Sequence, residues 1–237
     1  AVAVGNQAKA EGLYSIAIGL GAHSTGSSDL AVGDGAKASN GQASSFGIKA
    51  NASGAGSTAL GGETKSTGWL STAVGYLSNS ANTGSFAGGA RANANGSGAI
   101  SIGMNSTSTN TNSTALGAFA NAAGPHSTAL GVNASTASDA WYSLASGSSA
   151  KASANYTMAS GHTANASAEA AISLGANTTA SQINAVALGA NATASHINAV
   201  ALGANSVTKA AVASNEATVN GVYYSGFAAN NAASVVS

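Results

Sequence analysis

A glycine returns at a fixed interval along almost the whole chain, and that interval restricts the folds open to it. Gly5, Gly19, Gly33, Gly47, Gly61, Gly75, Gly89, Gly103, Gly117 and Gly131 stand fourteen residues apart. Gly147, Gly161, Gly175, Gly189 and Gly203 resume the same step. Only the step from Gly131 to Gly147 differs, at sixteen residues. Its extra residues near Asp139 and Trp141 predict a bulge confined to a turn. A unit of fourteen residues cannot bury a face alone, so fifteen copies must stack on one another.

The columns within the repeat set the secondary structure. The residue before each glycine is mostly large and apolar: Val4, Ile18, Val32, Phe46, Leu60, Val74. Two positions earlier comes a second apolar or Thr column, including Val2, Ile16, Leu30 and Thr58. Between the two stands only Ala or Ser, from Ala3 and Ala17 to Ala187 and Ala201. Small residues also fill the positions three and five after each glycine, such as Ala22 with Ser24 and Ala36 with Ala38. A period of two indicates strands, and recurrent Gly and β-branched residues argue against helix. Six or seven residues after the glycine, a second Gly or Asn (Gly12, Gly26, Asn40, Gly54) marks another turn, at a slot expected to need a positive φ. Each repeat is therefore two short strands and two turns. Equivalent strands pair in parallel about 4.8 Å apart, giving a β-solenoid roughly 65–70 Å long.

Ordinary stacked sheets fill a gap of about 10 Å with large side chains. Here the columns restricted to small residues occur on both strands, so they are assigned to the interior, between sheets pressed unusually close. Strand alternation then points the large apolar column outward. The alternative, with this stripe inside a monomeric roll, is weighed down by poor interior packing. An outward stripe on the order of 500 Å² is at the upper limit for the surface of a monomer. Each such side chain gains about 1.5–3 kcal/mol when covered, and further copies of the chain are the natural cover.

Composition narrows the function classes. Among 237 residues only 6% are charged, the formal net charge is zero, and there is no Cys. Balanced charge gives no footprint for nucleic acid. No stretch approaches the roughly 18 apolar residues of a membrane-spanning helix. The chain opens in mid-pattern at Ala1, without Met, as expected for a piece of something longer. The four histidines, His23, His126, His162 and His196, occupy four different columns, and no Ser–His–Asp pairing emerges. Calcium-binding solenoids need a recurring Asp, whereas Asp29, Asp34 and Asp139 do not recur. No phosphate loop is evident. The sequence thus predicts no catalytic residue, metal ligand or cofactor. Ice-binding solenoids share the architecture but need a regular Thr array. The column four after glycine reads Lys9, His23, Lys37, Asn51, Lys65, Asn79 and onward, polar without regularity.

That column holds one candidate binding surface. Lys9, Lys37 and Lys65 fall on alternate coils, about 9–10 Å apart, with Lys49 and Arg91 nearby and Glu11 and Glu63 diluting them. Such a ribbon suits acidic glycans or a host matrix protein, although a solvated face explains it as well. Tyr14, Trp69, Trp141, Tyr142 and Tyr156 sit in the turns before the first strand of a coil. They suit either binding anchors or caps on the seam between neighbouring chains.

Asn112-Ser113-Thr114-Ala115-Leu116-Gly117 and Asn198-Ala199-Val200-Ala201-Leu202-Gly203 resemble, position by position, the head repeats of trimeric autotransporter adhesins, the YadA-like family. The resemblance covers residues 1 to about 208. It implies an all-β, left-handed parallel β-roll of about fifteen coils, assembled side by side as a homotrimer. At the three-fold interface it places Val4, Ile18, Val32, Leu60, Val74, Ile102, Leu116, Leu130, Leu174, Leu188 and Leu202. It also implies non-enzymatic adhesion to host extracellular matrix protein, glycan, other bacteria or abiotic surfaces, without nucleic acid, and a full-length protein anchored in the bacterial outer membrane. Ligand contacts are expected at Lys9, Lys37, Lys65, Trp69 and Trp141. Two regions follow: a head roll over 1–209, and a segment over 210–237 that leads toward a neck. Within the latter, "ATVNGVYYSGFAA" reads as a hairpin turning at Asn220-Gly221 and is similar to inserts between head and neck in this family. Neck, stalk and anchor motifs are missing from the 237 residues.

Overall fold

The computed structural model describes residues 1–210 and 216–225. Those residues contain strands and turns and no helix. Each coil has a long strand of three residues ending just before the periodic glycine and a short strand of two residues beginning four after it. Fifteen long strands, from Val2–Val4 to Val200–Leu202, form one parallel sheet. Fourteen short strands, from Lys9–Ala10 to Thr193–Ala194, form the other. Register is strict: Val186, Ala187 and Leu188 pair with Val200, Ala201 and Leu202, their counterparts one coil on. The expected fifteen coils become about fourteen complete turns. The last coil leaves the period after Thr208, and its short strand is reduced to one bridge, Thr193 to Val207.

The sixteen-residue coil keeps this register, with Thr128 opposite Leu144 and Leu130 opposite Ser146. Its additional residues form a tight turn in which the Ala140 N–H donates to the Ala137 carbonyl at 3.2 Å. The insertion is therefore absorbed outside both sheets, as its place in a turn predicted.

Both turns of a coil are β-turns. The Ala8 N–H donates to the Gly5 carbonyl, and the Ser15 N–H to the Gly12 carbonyl, each at 3.2 Å. Their third residues carry the positive φ, 58° at both Gln7 and Tyr14, as in a type II turn. This corrects the expectation for the second glycine column. Of Gly12, Gly26, Asn40 and Gly54 only Asn40 has a positive φ; the recurring left-handed residue stands two positions after that column and is as varied as Tyr14, Leu70 and Asn112. Gly12 is needed for a different reason: a Cβ on it would lie 1.9 Å from the Gly26 carbonyl of the next coil. The periodic glycines have both needs at once. Gly19 has φ +131°, and its Cβ would meet the Gly33 carbonyl at 2.4 Å.

The interior is made of the small columns. Ala17, Ala22, Ala38 and their equivalents are buried between the first and last coils, and the largest fully buried side chains are Thr64, Thr157, Thr178 and Asp29. A fourth interior column, four before each glycine, joins the three read from the sequence: Ser15, Asp29, Ala43, Ser57, Ser71 and onward. The sheets are one small side chain apart. The Ser108 hydroxyl of a short strand donates to the Ile100 carbonyl of a long strand at 2.5 Å. Other interior hydroxyls pair across the gap, as Ser66 with Ser71 and Ser80 with Ser85, both at 2.7 Å. Most of these buried hydroxyls are hydrogen-bonded, which makes their burial tolerable, while those of Ser24 and Ser57 have no partner.

The chain ends its described part in an antiparallel hairpin, Glu216–Val219 with Val222–Ser225. Asn220 (φ 51°) and Gly221 (φ 81°) form its two-residue turn, the pairing that favours a tight hairpin of this kind. The remainder of the 210–237 expectation lies outside the described residues.

Candidate binding surface

Three surfaces of the rod carry chemistry. The first is the outward face of the long-strand sheet. Val4, Ile18, Leu60, Ile102, Leu116, Leu130, Leu188 and Leu202 are exposed there, and Val32, Val74 and Leu174 are half-buried. Their neighbours in the strand, Ala17, Ala31, Ala59 and Ala187, are fully buried. Burial is thus the reverse of the usual order, in which Leu and Ile are inside. The cause is steric: two sheets separated by one Ala or Ser leave no room for a branched chain, so the strand alternation sends the larger residues out.

The second surface is the outer face of the short-strand sheet. Lys9, Lys37 and Lys65 are exposed on it, separated in register by His23 and Asn51. His23 Nε2 is 3.3 Å from a carboxylate oxygen of Glu11, and the Glu11 charge, between the first two lysines, partly offsets theirs. Further along, Asn79 donates to both Asn93 at 2.9 Å and Asn95 at 3.0 Å. The face is basic at one end and amide-rich beyond it.

The third surface is the turn edge. Trp69 and Trp141 are 58% and 47% exposed. Trp141 belongs to a cluster that the column reading did not assemble. Tyr142 stacks on His126 on one side, with ring centroids 5.0 Å apart, and on Tyr156 on the other, 5.9 Å apart. Trp141 lies tilted against His126 and Tyr142 at 6.4 and 6.3 Å. His126, Tyr142 and Tyr156 share the left-handed turn position on successive coils, which brings their rings into register. Reading that column, rather than aromatics alone, would have placed His126 with the tyrosines. The structure does not bring Trp69 to this cluster: it stands in a turn five coils from Tyr142 by count of repeats.

One buried carboxylate stands apart from these surfaces. Asp29 occupies the fourth interior column, and its two oxygens accept the Gly26 N–H at 2.6 Å and the Ala43 N–H at 2.9 Å. In most coils the N–H equivalent to that of Ala43 bonds to its own turn, as Ser57 to Gly54 and Ser71 to Gly68. Asn40, with φ 72°, turns its carbonyl away, and Asp29 replaces it. Asp29 is a structural acceptor. Among the described residues, no group of three His, Cys, Asp or Glu is placed to hold a metal ion.

A parallel solenoid of fourteen-residue coils, with an alanine interior and an apolar outer stripe, defines a narrow class of repeat proteins. The chain belongs to the YadA head family: the model of the YadA head domain repeat matches residues 1–22, 38–64, 108–134, 152–178 and 180–206, just over half of it. Among solved structures, the collagen-binding domain of the Yersinia adhesin YadA is similar at 25% identity, over 62% of this chain and 66% of that one, with a TM-score of 0.33. The chain therefore spans slightly under two thirds of that domain, and the family assignment rests on the repeat matches. No curated protein matches the chain.

Proposed function

We propose that this chain is the head of a homotrimeric, non-enzymatic adhesin, displayed on a bacterial surface by a full-length protein anchored in the outer membrane. Residues 1–209 form a left-handed roll, and three rolls lie side by side. Residues 210–237 lead toward a neck. The observation that carries the reading is the inverted burial of the long strand, Ala187 inside and Leu188 outside. A continuous apolar stripe along a rod is stable in water when copies of the chain cover it. Val4, Ile18, Val32, Leu60, Val74, Ile102, Leu116, Leu130, Leu174, Leu188 and Leu202 then lie at the seam.

What remains exposed is the short-strand face and part of the turn edge, repeated three times around the trimer. Lys9, Lys37, Lys65, Trp69 and Trp141 are the proposed contacts to host matrix protein, glycan or another surface. Each coil offers a few weak contacts, and repetition along the rod and around the axis supplies strength by avidity. The Yersinia relative is described as collagen-binding, which makes matrix protein the first class to try. The test is adherence of the purified chain to immobilised matrix proteins, glycans and bare polystyrene. Saturable attachment to at least one is expected, and attachment to none contradicts the proposal.

A further inference from the structure

A groove of about 410 Å³ interrupts the turn edge near Trp69. It exists because side chains are missing. In three successive turns the first central residue is Ser27, Gly41 and then Ala55, and the fourth turn supplies Trp69. The next column runs Ser28, Gln42, Gly56, Leu70. Leu70 leans over Gly56, where its Cδ2 would come within 2.7 Å of an added Cβ. The result is a shelf of small residues running up to an indole.

The lining mixes polar and apolar groups and carries no charge. No Lys, Arg, Asp or Glu is among the lining residues, and Asp29 lies buried with both oxygens engaged. The side chains of Ser27, Ser28 and Gln42 make no hydrogen bond within the described residues. Asn40 donates through Nδ2 to the Ser53 carbonyl at 2.6 Å, which leaves its Oδ1 as an acceptor. An anionic ligand meets no cation here, and a cationic one no anion. A wholly apolar ligand would strip water from Gln42 and the serines without replacing it, which costs free energy. A ligand with one apolar face and a rim of neutral hydroxyls satisfies both sets of groups.

We propose that this groove binds a neutral hexopyranose unit of a glycan. The C–H face of the ring lies on the Trp69 indole, an aromatic surface with a polar edge. Its hydroxyls exchange hydrogen bonds with the Gln42 amide, the Ser27 and Ser28 hydroxyls and Asn40 Oδ1. The volume is toward the small end of the roughly 300–1,000 Å³ usual for ligand sites, which suits one or two sugar rings. The proposal rests on the adhesin reading. It differs from the lysine ribbon in face and in charge, so its binding does not weaken with salt.

The experiment is an array of neutral, sialylated and sulfated glycans probed with the intact chain, with the same chain labelled with 5-fluorotryptophan for titration. The chain has two tryptophans, and the fluorine resonance lost in Trp69→Ala is that of Trp69. Expected are salt-independent binding to at least one neutral glycan and a saturable shift of the Trp69 resonance with the same sugar. Trp69→Ala should weaken that binding at least about tenfold and Gln42→Ala several-fold, with circular dichroism and sedimentation unchanged. Binding confined to anionic glycans, or binding indifferent to both substitutions, overturns the proposal. So does dissociation of the assembly by Trp69→Ala, which would make Trp69 a cap on the seam. A chain that adheres to matrix protein but to no neutral sugar refutes the groove alone. A chain that adheres to nothing refutes the adhesin reading with it.

Discussion

At the scale of single residues, stability is decided by whether a small interior group is satisfied. Asp29 is the sharpest case, since its carboxylate is the acceptor for two backbone N–H groups, one of them the Ala43 N–H that the Asn40 turn leaves without a carbonyl. Asp29→Ala should destabilise the rod by about 1–3 kcal/mol, the cost of unpaired buried groups, read by chemical denaturation. Ser57 offers the opposite case. Its buried hydroxyl has no partner, so Ser57→Ala should be neutral or stabilising. In contrast, Ser71→Ala removes bonds to Ser66 and to the Gly68 carbonyl and should destabilise. The inside/outside assignment has its own residue test. Ala187→Leu forces a branched chain between closely stacked sheets, at about 1–3 kcal/mol or more. It should cost more than Leu188→Ala, reversing the usual order; a neutral Ala187→Leu would overturn the assignment.

At the scale of elements, strands, pairing and the direction of each strand face were legible in the sequence, because a period of two inside a period of fourteen leaves one consistent arrangement. Turn chemistry was less legible. The columns marked Gly12 and its equivalents as special, but the reason, contact with the next coil's backbone, depends on stacking distance. The residues that adopt positive φ, among them Gln7, Tyr14 and Leu70, have no common chemistry to be read. The role of Asp29 was invisible for a related reason: its partners are a turn glycine and a residue fourteen positions on, through backbone atoms alone. The terminal hairpin, announced by Asn220-Gly221, permits a titration test. Tyr223 is held above the usual tyrosine value of 10.0, first by the hydrogen bond to Glu216 and then by desolvation. A raised value means that this bond stabilises the hairpin fully below pH 10 and loses its effect as pH rises through the folded value. Glu216→Gln should lower the midpoint of Tyr223 ionisation, followed by absorbance with Tyr223→Phe as the blank.

At the scale of the whole molecule, a rod that keeps alanine inside and Leu, Ile and Val outside has its largest apolar surface in the wrong place for a solitary chain. In the proposed trimer sister chains cover this surface, and the same assembly would triple every exposed contact. Changing Lys9, Lys37 and Lys65 together to Gln should leave the roll folded, since all three lie on its outer polar face. If the ribbon binds, the triple change weakens attachment to anionic glycan or matrix and flattens its salt dependence; equal attachment at low and high salt rejects the ribbon. The central claim, that sister chains cover the apolar stripe, is tested most directly by sedimentation equilibrium. The intact chain should sediment at three times its 22.2 kDa mass, and Leu188→Asp with Leu202→Asp, which would bury unpaired carboxylates at each seam, should bring it toward the single-chain mass. A folded wild-type rod that sediments at 22.2 kDa across the concentration range would contradict the account.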